Sequence, residues 1–341
     1  MLTEIPSDES ICYGIILSAL SILTLLGNSL VCLAVWRLKN LRRLTNYLVC
    51  SLAGADLLVP ILRVIYINIS VYAGKWVFGI TWCHISSMCG VLLCSASILH
   101  LCAISIERLI AIKWPLSYDA KVTPKRIVIV LIYIWVQSFV LSIFPTLGLA
   151  EQRFNPVLAE CEINWLKKPT LTILLIVFYF FLPVSVMLIA YAIIFKEVRR
   201  NSRRISALES AGNQGSQNNV FKREMKAVKT LAVVVGMFFI MWMPYFVTTT
   251  IRAFRGDELI PGALQRTVIT LAYGNSCCNF VIYALMNAQL RNAFHHILRE
   301  CCGKRGARID LNSTRGLNLT TINTKRRTKA PMEDKDKYRR D

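Results

Sequence analysis

Formal charge is missing from long stretches of this chain. Between His84 and Glu107 there is no Asp, Glu, Lys or Arg, a run of about the 20 residues that a membrane-spanning helix needs. Similar runs recur, and 55% of the 341 residues are hydrophobic, which excludes an ordinary soluble domain. Acidic residues are half as numerous as basic ones, 20 against 40. A net charge of +20 would suit nucleic acid, but its distribution excludes that partner. Thirty-two of the basic residues fall in or beside one alternate set of loops and the C-terminal tail, while the other side balances eight Lys/Arg against eight Asp/Glu. This is the positive-inside bias, which places the N-terminus outside and the tail in the cytosol. The twelve cysteines include no CxxC pairs at zinc spacing, which argues against a zinc site. Most sit in apolar runs as small core residues; Cys83 and Cys161 differ in falling at the outer, oxidising face. The chain opens on acids rather than a basic n-region, and its first apolar run is too long for a signal peptide, so the first span is expected to serve as the insertion signal. Solenoid-period repeats are absent, as are the repeated halves or interrupted helices of a transporter.

What remains predicts an all-α membrane protein with seven spans, at about 11–36, 46–72, 83–113, 127–147, 170–195, 224–252 and 264–286. An extracellular N-terminus (1–10) leads into a seven-helix domain (11–300). Its last part, about 288–298, is an amphipathic helix on the inner leaflet. A disordered basic cytosolic tail (301–341) follows. The third cytosolic loop, 196–223, is basic with a polar centre, a composition that favours mobility. Trp76, in the loop before Cys83, is expected at the membrane interface.

The third span organises the rest. Cys83 and Arg108 are 25 positions apart, about 37 Å of helix at ~1.5 Å per residue, more than a hydrocarbon core of about 30 Å. Arg108 therefore lies where this span meets the cytosol, an expensive place for a charge unless it is paired or hydrated. Asp56 is one of very few acids inside any span. Arg63 follows it by seven residues, two helical turns on and on the same face.

Several residue groups sit in the right spans and order to resemble the rhodopsin-like G-protein-coupled receptors over about residues 11–300. In the first half these are Gly27-Asn28, Leu52-Ala53-Gly54-Ala55-Asp56, Trp76-Val77-Phe78-Gly79, Cys83 with Cys161, Glu107-Arg108-Leu109 and Trp135. In the second half they are Pro183 with Tyr191, Phe238 with Trp242-Met243-Pro244, and Asn279-Phe280-Val281-Ile282-Tyr283. The stretch from Leu271 to Ser276 is most similar to amine and adenosine receptors. The resemblance implies a plasma-membrane receptor without enzymatic activity. It would bind an extracellular small-molecule or peptide ligand and activate a heterotrimeric G protein. Arrestin, receptor kinases and membrane lipids are further implied partners. The alternative is a ligand-silent scaffold that dimerises with other receptors.

The same resemblance assigns roles. Arg108 would pair with Glu107 and Glu224 at rest and be freed when span six swings out; the competing reading is a snorkelling arginine. Tyr191, Phe238, Trp242, Pro244, Asn279 and Tyr283 complete the activation set. Proline removes a backbone hydrogen bond and kinks a helix, so a ligand pressing on Trp242 would move the cytosolic half of span six. Leu109 and Phe280 depart from the family's usual tyrosine and proline, and span seven is expected to be straighter for it. Asp56, Ser97, Asn275, Ser276 and Asn279 resemble a sodium site built from hard oxygen ligands. A water-holding polar network, a neutral Asp56 and an Asp56–Arg63 pair are its rivals. Cys83–Cys161 would tie the outer loop to span three, and Cys301-Cys302 after an amphipathic helix suggests palmitoylation. No other cofactor is implied.

For the ligand, amine receptors of this family carry an aspartate 18 residues before the switch arginine. Here Gly90 stands there, so the simple amine reading fails. Span seven contains no lysine for a retinal Schiff base. The remaining pocket has walls of Val91, Cys94, Tyr179, Trp242, Tyr245, Phe246 and Tyr273. Arg63, Arg252 and Arg266 lie nearby as an expected clamp for a carboxylate or phosphate, or as loop-edge residues, with Arg63 neutralising Asp56. An acidic small molecule, a peptide carboxylate and an uncharged ligand all fit.

Overall fold

The computed structural model describes residues 8–144, 151–164, 169–210 and 217–301, all within the first of two compact units, Met1–Lys304. Seven helices are long and apolar enough to cross a membrane. Span one is Asp8–Arg37. Span two runs from Leu44 to Ala73 and changes pitch at a π-turn, Pro60–Val64. Spans three and four are Gly79–Lys113 and Pro124–Ile143. Span five opens with Pro169–Ile176, passes a second π-turn at Val177–Phe181, and continues as Leu182–Ser210. Span six is Gln217–Arg255, span seven Gly262–Met286, and the amphipathic helix Ala288–Cys301. Between spans four and five, β1 (Gln152–Asn155) and β2 (Glu160–Ile163) form an antiparallel hairpin with Phe154 opposite Cys161.

Burial in this bundle follows the solvent. Lipid is as apolar as leucine, so aliphatic side chains gain nothing by turning inward. Ile15, Leu26, Ile132 and Ile189 are more than half exposed, while Asn28, Asp56, Ser97 and Asn279 are buried. Polar groups need one another in a medium that offers no hydrogen bonds. Span three runs through the middle, packed on spans two, four and five.

Three sequence expectations change here. The mobile loop over 196–223 is largely helix: span five continues to Ser210 and span six starts at Gln217. The Lys, Arg, Glu, Ala and Leu of this stretch are good helix formers, so both helices run on beyond their apolar stretches. Trp76 is not an interfacial anchor. It is 1% exposed, packs on Cys83 and Cys161, and donates its Nε1–H to the Gly79 carbonyl at 2.8 Å. A satisfied indole N–H allows the ring to bury. Lastly, span two's π-turn begins at Pro60, which has no N–H to give to the α ladder. One extra residue enters the turn, so the seven-residue spacing no longer puts Asp56 and Arg63 on one face.

Span seven runs unbroken through Phe280. The Phe280 ring lies against Gly27 of span one so closely that a Cβ there would be 2.3 Å from Phe280 Cδ1, and it meets Phe294 of the amphipathic helix at 5.7 Å between ring centres.

Candidate ligand cavity and activation switch

A cavity of about 130 Å³ opens among spans two, three, five, six and seven beneath the outer hairpin. All nine residues expected at the ligand line it: Arg63, Gly90, Val91 and Cys94, with Tyr179, Trp242, Tyr245, Phe246 and Tyr273. Ser97, Asn275 and Ser276 line the same cavity, joining it to the polar cluster at mid-membrane. Sequence reasoning missed Glu162 and Ile163, which the hairpin supplies to the cavity. Their signal was their place one and two residues after Cys161, which the Cys83–Cys161 disulfide holds against span three.

Phe180, also missed, is fully buried at the centre of an aromatic cluster, 4.3 Å from Phe246 and 6.3 Å from Phe238 between ring centres. Phe238 and Phe246 flank Trp242 at 6.0 and 5.8 Å between ring centres.

 This places Trp242 between the cavity and the core of the bundle.

Arg63 spans the cavity's outer end. Its Nε donates to the Tyr273 hydroxyl at 2.7 Å, Nη1 to the Ser86 carbonyl at 2.8 Å and Nη2 to the Cys161 carbonyl at 3.2 Å. Glu160 Oε2 is 3.1 Å from Nη2 and accepts a second hydrogen bond, from Tyr273, at 2.5 Å. Burial holds the Glu160 carboxyl above its ordinary value, although the Arg63 guanidinium and the Tyr273 hydrogen bond pull it down. With a cation and a hydroxyl donor both on Oε2, the ionised form is the one these partners suit. Arg63 thus points to the outer hairpin and not to Asp56, which removes the Asp56–Arg63 pair from the rival readings. The three-arginine clamp is not assembled either. Arg252 holds Glu162 through Nη1 and Nη2 at 3.1 and 2.5 Å and Asp257 through Nε at 2.7 Å. Arg266 donates to the Val157 carbonyl at 2.9 Å. All three are turned to the outer loops because those loops carry the carboxylates and carbonyls that a buried guanidinium requires.

At mid-membrane, Asn279 Nδ2 donates to Asp56 Oδ2 at 2.8 Å, and the hydroxyls of Ser97 and Ser276 face the same carboxyl group. Asp56 is fully buried, and its Oδ1 has no hydrogen-bond partner among the described residues. Asn28 of span one holds the Ser276 carbonyl at 3.0 Å.

At the end of span three opposite the hairpin, Arg108 Nε is 2.9 Å from Glu107 Oε2, and Nη2 donates to Thr45 Oγ1 at 2.7 Å. Thr45 in turn donates to Glu107 Oε1 at 2.8 Å, as does the Tyr118 hydroxyl. Tyr118 stays protonated: burial, and then the Glu107 charge, push its phenol up to about 12. The side chain of Glu224 lies outside the described residues, as do the side chain of Cys301 and all of Cys302. Tyr191 and Tyr283 bury hydroxyls that have no hydrogen-bond partner among the described residues.

Comparison with known proteins agrees with this geometry. Residues 27–283 match the family model described as 7 transmembrane receptor (rhodopsin family). The chain is 37% identical over 295 residues to the histamine H2 receptor of Cavia porcellus, covering 85% of this chain and 79% of that protein. It is 37% identical over 294 residues to the Homo sapiens histamine H2 receptor, covering 84% and 79%. It is 32% identical over 332 residues to the alpha-1A adrenergic receptor of Mus musculus, covering 89% and 71%. The fold is similar to that of squid rhodopsin, with a TM-score of 0.81 at 21% identity over 91% of each chain. A model match across most of the sequence, with the disulfide and seven spans in place, shows that the chain belongs to the rhodopsin family of seven-transmembrane receptors.

Proposed function

We propose that this receptor takes a small ligand in the cavity beneath the outer hairpin and transmits its binding through Trp242 to the Arg108 end of span three. As a member of its family it is a plasma-membrane G-protein-coupled receptor for an extracellular ligand, not an enzyme. One observation carries the finer reading: a single cavity is lined by Glu162 and Ile163 of the outer loop, by Trp242, and by Ser97, Asn275 and Ser276. A ligand there touches the residue two positions before Pro244 in span six, where the helix lacks a backbone hydrogen bond and bends most readily.

The positive-inside bias supports an N-terminus outside and a cytosolic tail, with arrestin and receptor kinases as further cytosolic partners. The unpartnered Asp56 Oδ1 beside two serine hydroxyls and an asparagine suits a sodium ion, whose hard charge prefers such oxygens. Palmitoylation at Cys301 and Cys302 is proposed on sequence alone. A second reading, an amine ligand, is favoured by relatives named for histamine and adrenergic ligands. Against it, position 90 is glycine and Arg63 lies over it.

The test is G-protein activation in cells displaying the chain, challenged with pooled amines, acids, nucleosides and uncharged compounds. Arg108→Ala serves as the blank. The expected outcome is a response that Arg108→Ala abolishes and Trp242→Ala weakens at least tenfold, about 1.4 kcal/mol. Equal responses from Arg108→Ala and the parent would refute the coupling. Silence at normal surface expression would favour the ligand-silent scaffold.

A further inference from the structure

Four formal charges border the cavity's outer end, and each already has its counter-charge. Arg63 and Glu162 line the cavity. Arg63 pairs with Glu160, and Glu162 with Arg252, in contacts of 2.5–3.1 Å. All four residues are at most 8% exposed. With Asp257 and Arg153 joined to the second pair, three positive and three negative charges sum to zero. An ionic ligand entering this end brings a charge with no counter-charge left to meet it, and leaving such an ion unpaired away from water is costly. To bind, it must break an existing buried pair and leave one partner's charge uncompensated away from water.

The hydrogen-bond inventory points the same way. A guanidinium has five N–H donors. Tyr273, the Ser86 and Cys161 carbonyls and Glu160 take four of them. The fifth is on Nη1, the atom lying over Gly90, where an added Cβ would be only 2.8 Å away. Across the cavity, the Tyr179 hydroxyl is buried without a partner among the described residues. Both free groups can donate a hydrogen bond, and neither needs a charged acceptor.

We infer that the outer end of the cavity selects an uncharged part of the ligand, an apolar body with neutral acceptors such as carbonyl or ether oxygens for Arg63 Nη1 and the Tyr179 hydroxyl. The two ion pairs are the fixed frame of the site and not its recognition groups. This rests on the reading of the cavity as the ligand site, and it deepens that reading by excluding both an ammonium and a carboxylate as the ligand's anchor at the cavity's outer end.

Cys94 provides a test that requires no known ligand, because its free thiol lines the same cavity. The full chain is treated with three methanethiosulfonates: neutral methyl, cationic trimethylammonioethyl and anionic sulfonatoethyl. Each joins its thioalkyl group to the Cys94 sulfur as a disulfide and releases methanesulfinate. Rates are read at Cys94 by peptide mass spectrometry and divided by those of a small thiol in solution. In the parent, both charged reagents are expected to be slower than the neutral one. Glu160→Gln, which leaves Arg63 uncompensated, is expected to speed the anionic reagent about tenfold. Arg63→Gln is expected to do the same for the cationic reagent, and the double variant to return to the parent pattern. The inference is overturned if either charged reagent matches the neutral one in the parent, or if charged-reagent rates are unchanged by both single variants. No modification of Cys94 by any reagent in any variant refutes instead the reading of the cavity as open to outside ligands.

Discussion

Gly27 shows how one missing methyl group fixes a helix contact. A Cβ there would fall 2.3–2.9 Å from three atoms of Phe280, inside any van der Waals contact. Gly27→Ala is expected to lower the melting temperature of the purified receptor, with an overpacking cost of about 1–3 kcal/mol. Adding Phe280→Ala, which removes the obstructing ring, should recover part of that loss. If the double variant melts below both single ones, the clash is not the cause. Gly27 was legible in the sequence as part of a motif, but its physical partner was not: Phe280 is 253 positions away, and only helix packing brings the two together.

Two elements are held at their ends by networks that the sequence did not reveal. The outer end of span six is tied by Arg252 to Glu162 and Asp257, and Asp257 also accepts a hydrogen bond from Arg153 of the hairpin. Burial pushes the Asp257 carboxyl up, but hydrogen bonds from Arg252 and Arg153 outweigh it and hold the carboxyl below its ordinary value. The unfolded chain therefore binds this proton more readily than the folded one. The tie contributes its full stability above the unfolded aspartate value of about 3.9 and loses it as pH falls through the lower folded value. Melting temperatures of the parent and Asp257→Asn should differ at pH 7 and converge toward pH 3. A gap that persists unchanged at pH 3 would rule out the charge as its source. At the end of span three opposite the hairpin, Tyr118 donates to Glu107 beside Arg108. Tyr118→Phe removes a hydrogen bond to a charged group, worth about 1.5–3 kcal/mol. If that bond holds Arg108 at rest, agonist-free signalling rises in this variant at equal surface expression; unchanged basal signalling would give the bond a purely structural role.

Across the whole molecule, the outer hairpin closes one end of the bundle by joining several spans at once. Cys161 bonds to Cys83 of span three, Glu160 pairs with Arg63 of span two, and Tyr13 of span one donates to the Leu158 carbonyl at 3.4 Å. Cys83→Ser is expected to cost about 2–5 kcal/mol and to lower surface expression. It should also weaken any ligand response, because Glu162 and Ile163 lose their anchor over the cavity. Normal expression with an intact response in this variant would show that the ion pairs hold the hairpin unaided.

Membrane spans were legible in the sequence because lipid solvates backbone and charge poorly, so each span must be a long run of apolar residues. The family resemblance came from short groups such as Glu107-Arg108-Leu109 and Trp242-Met243-Pro244, and the nine expected pocket residues do converge on one cavity. Partners of long, charged side chains were not legible. Arg63 shares a helix with Asp56, yet a π-turn between them rotates it toward Glu160, a residue from a loop pinned by a distant disulfide. Periodicity along one helix determines which residues share a face only while the pitch holds. Which counter-charge a buried arginine finds depends on tertiary packing, and in this receptor packing has paired the charges at the cavity's outer end.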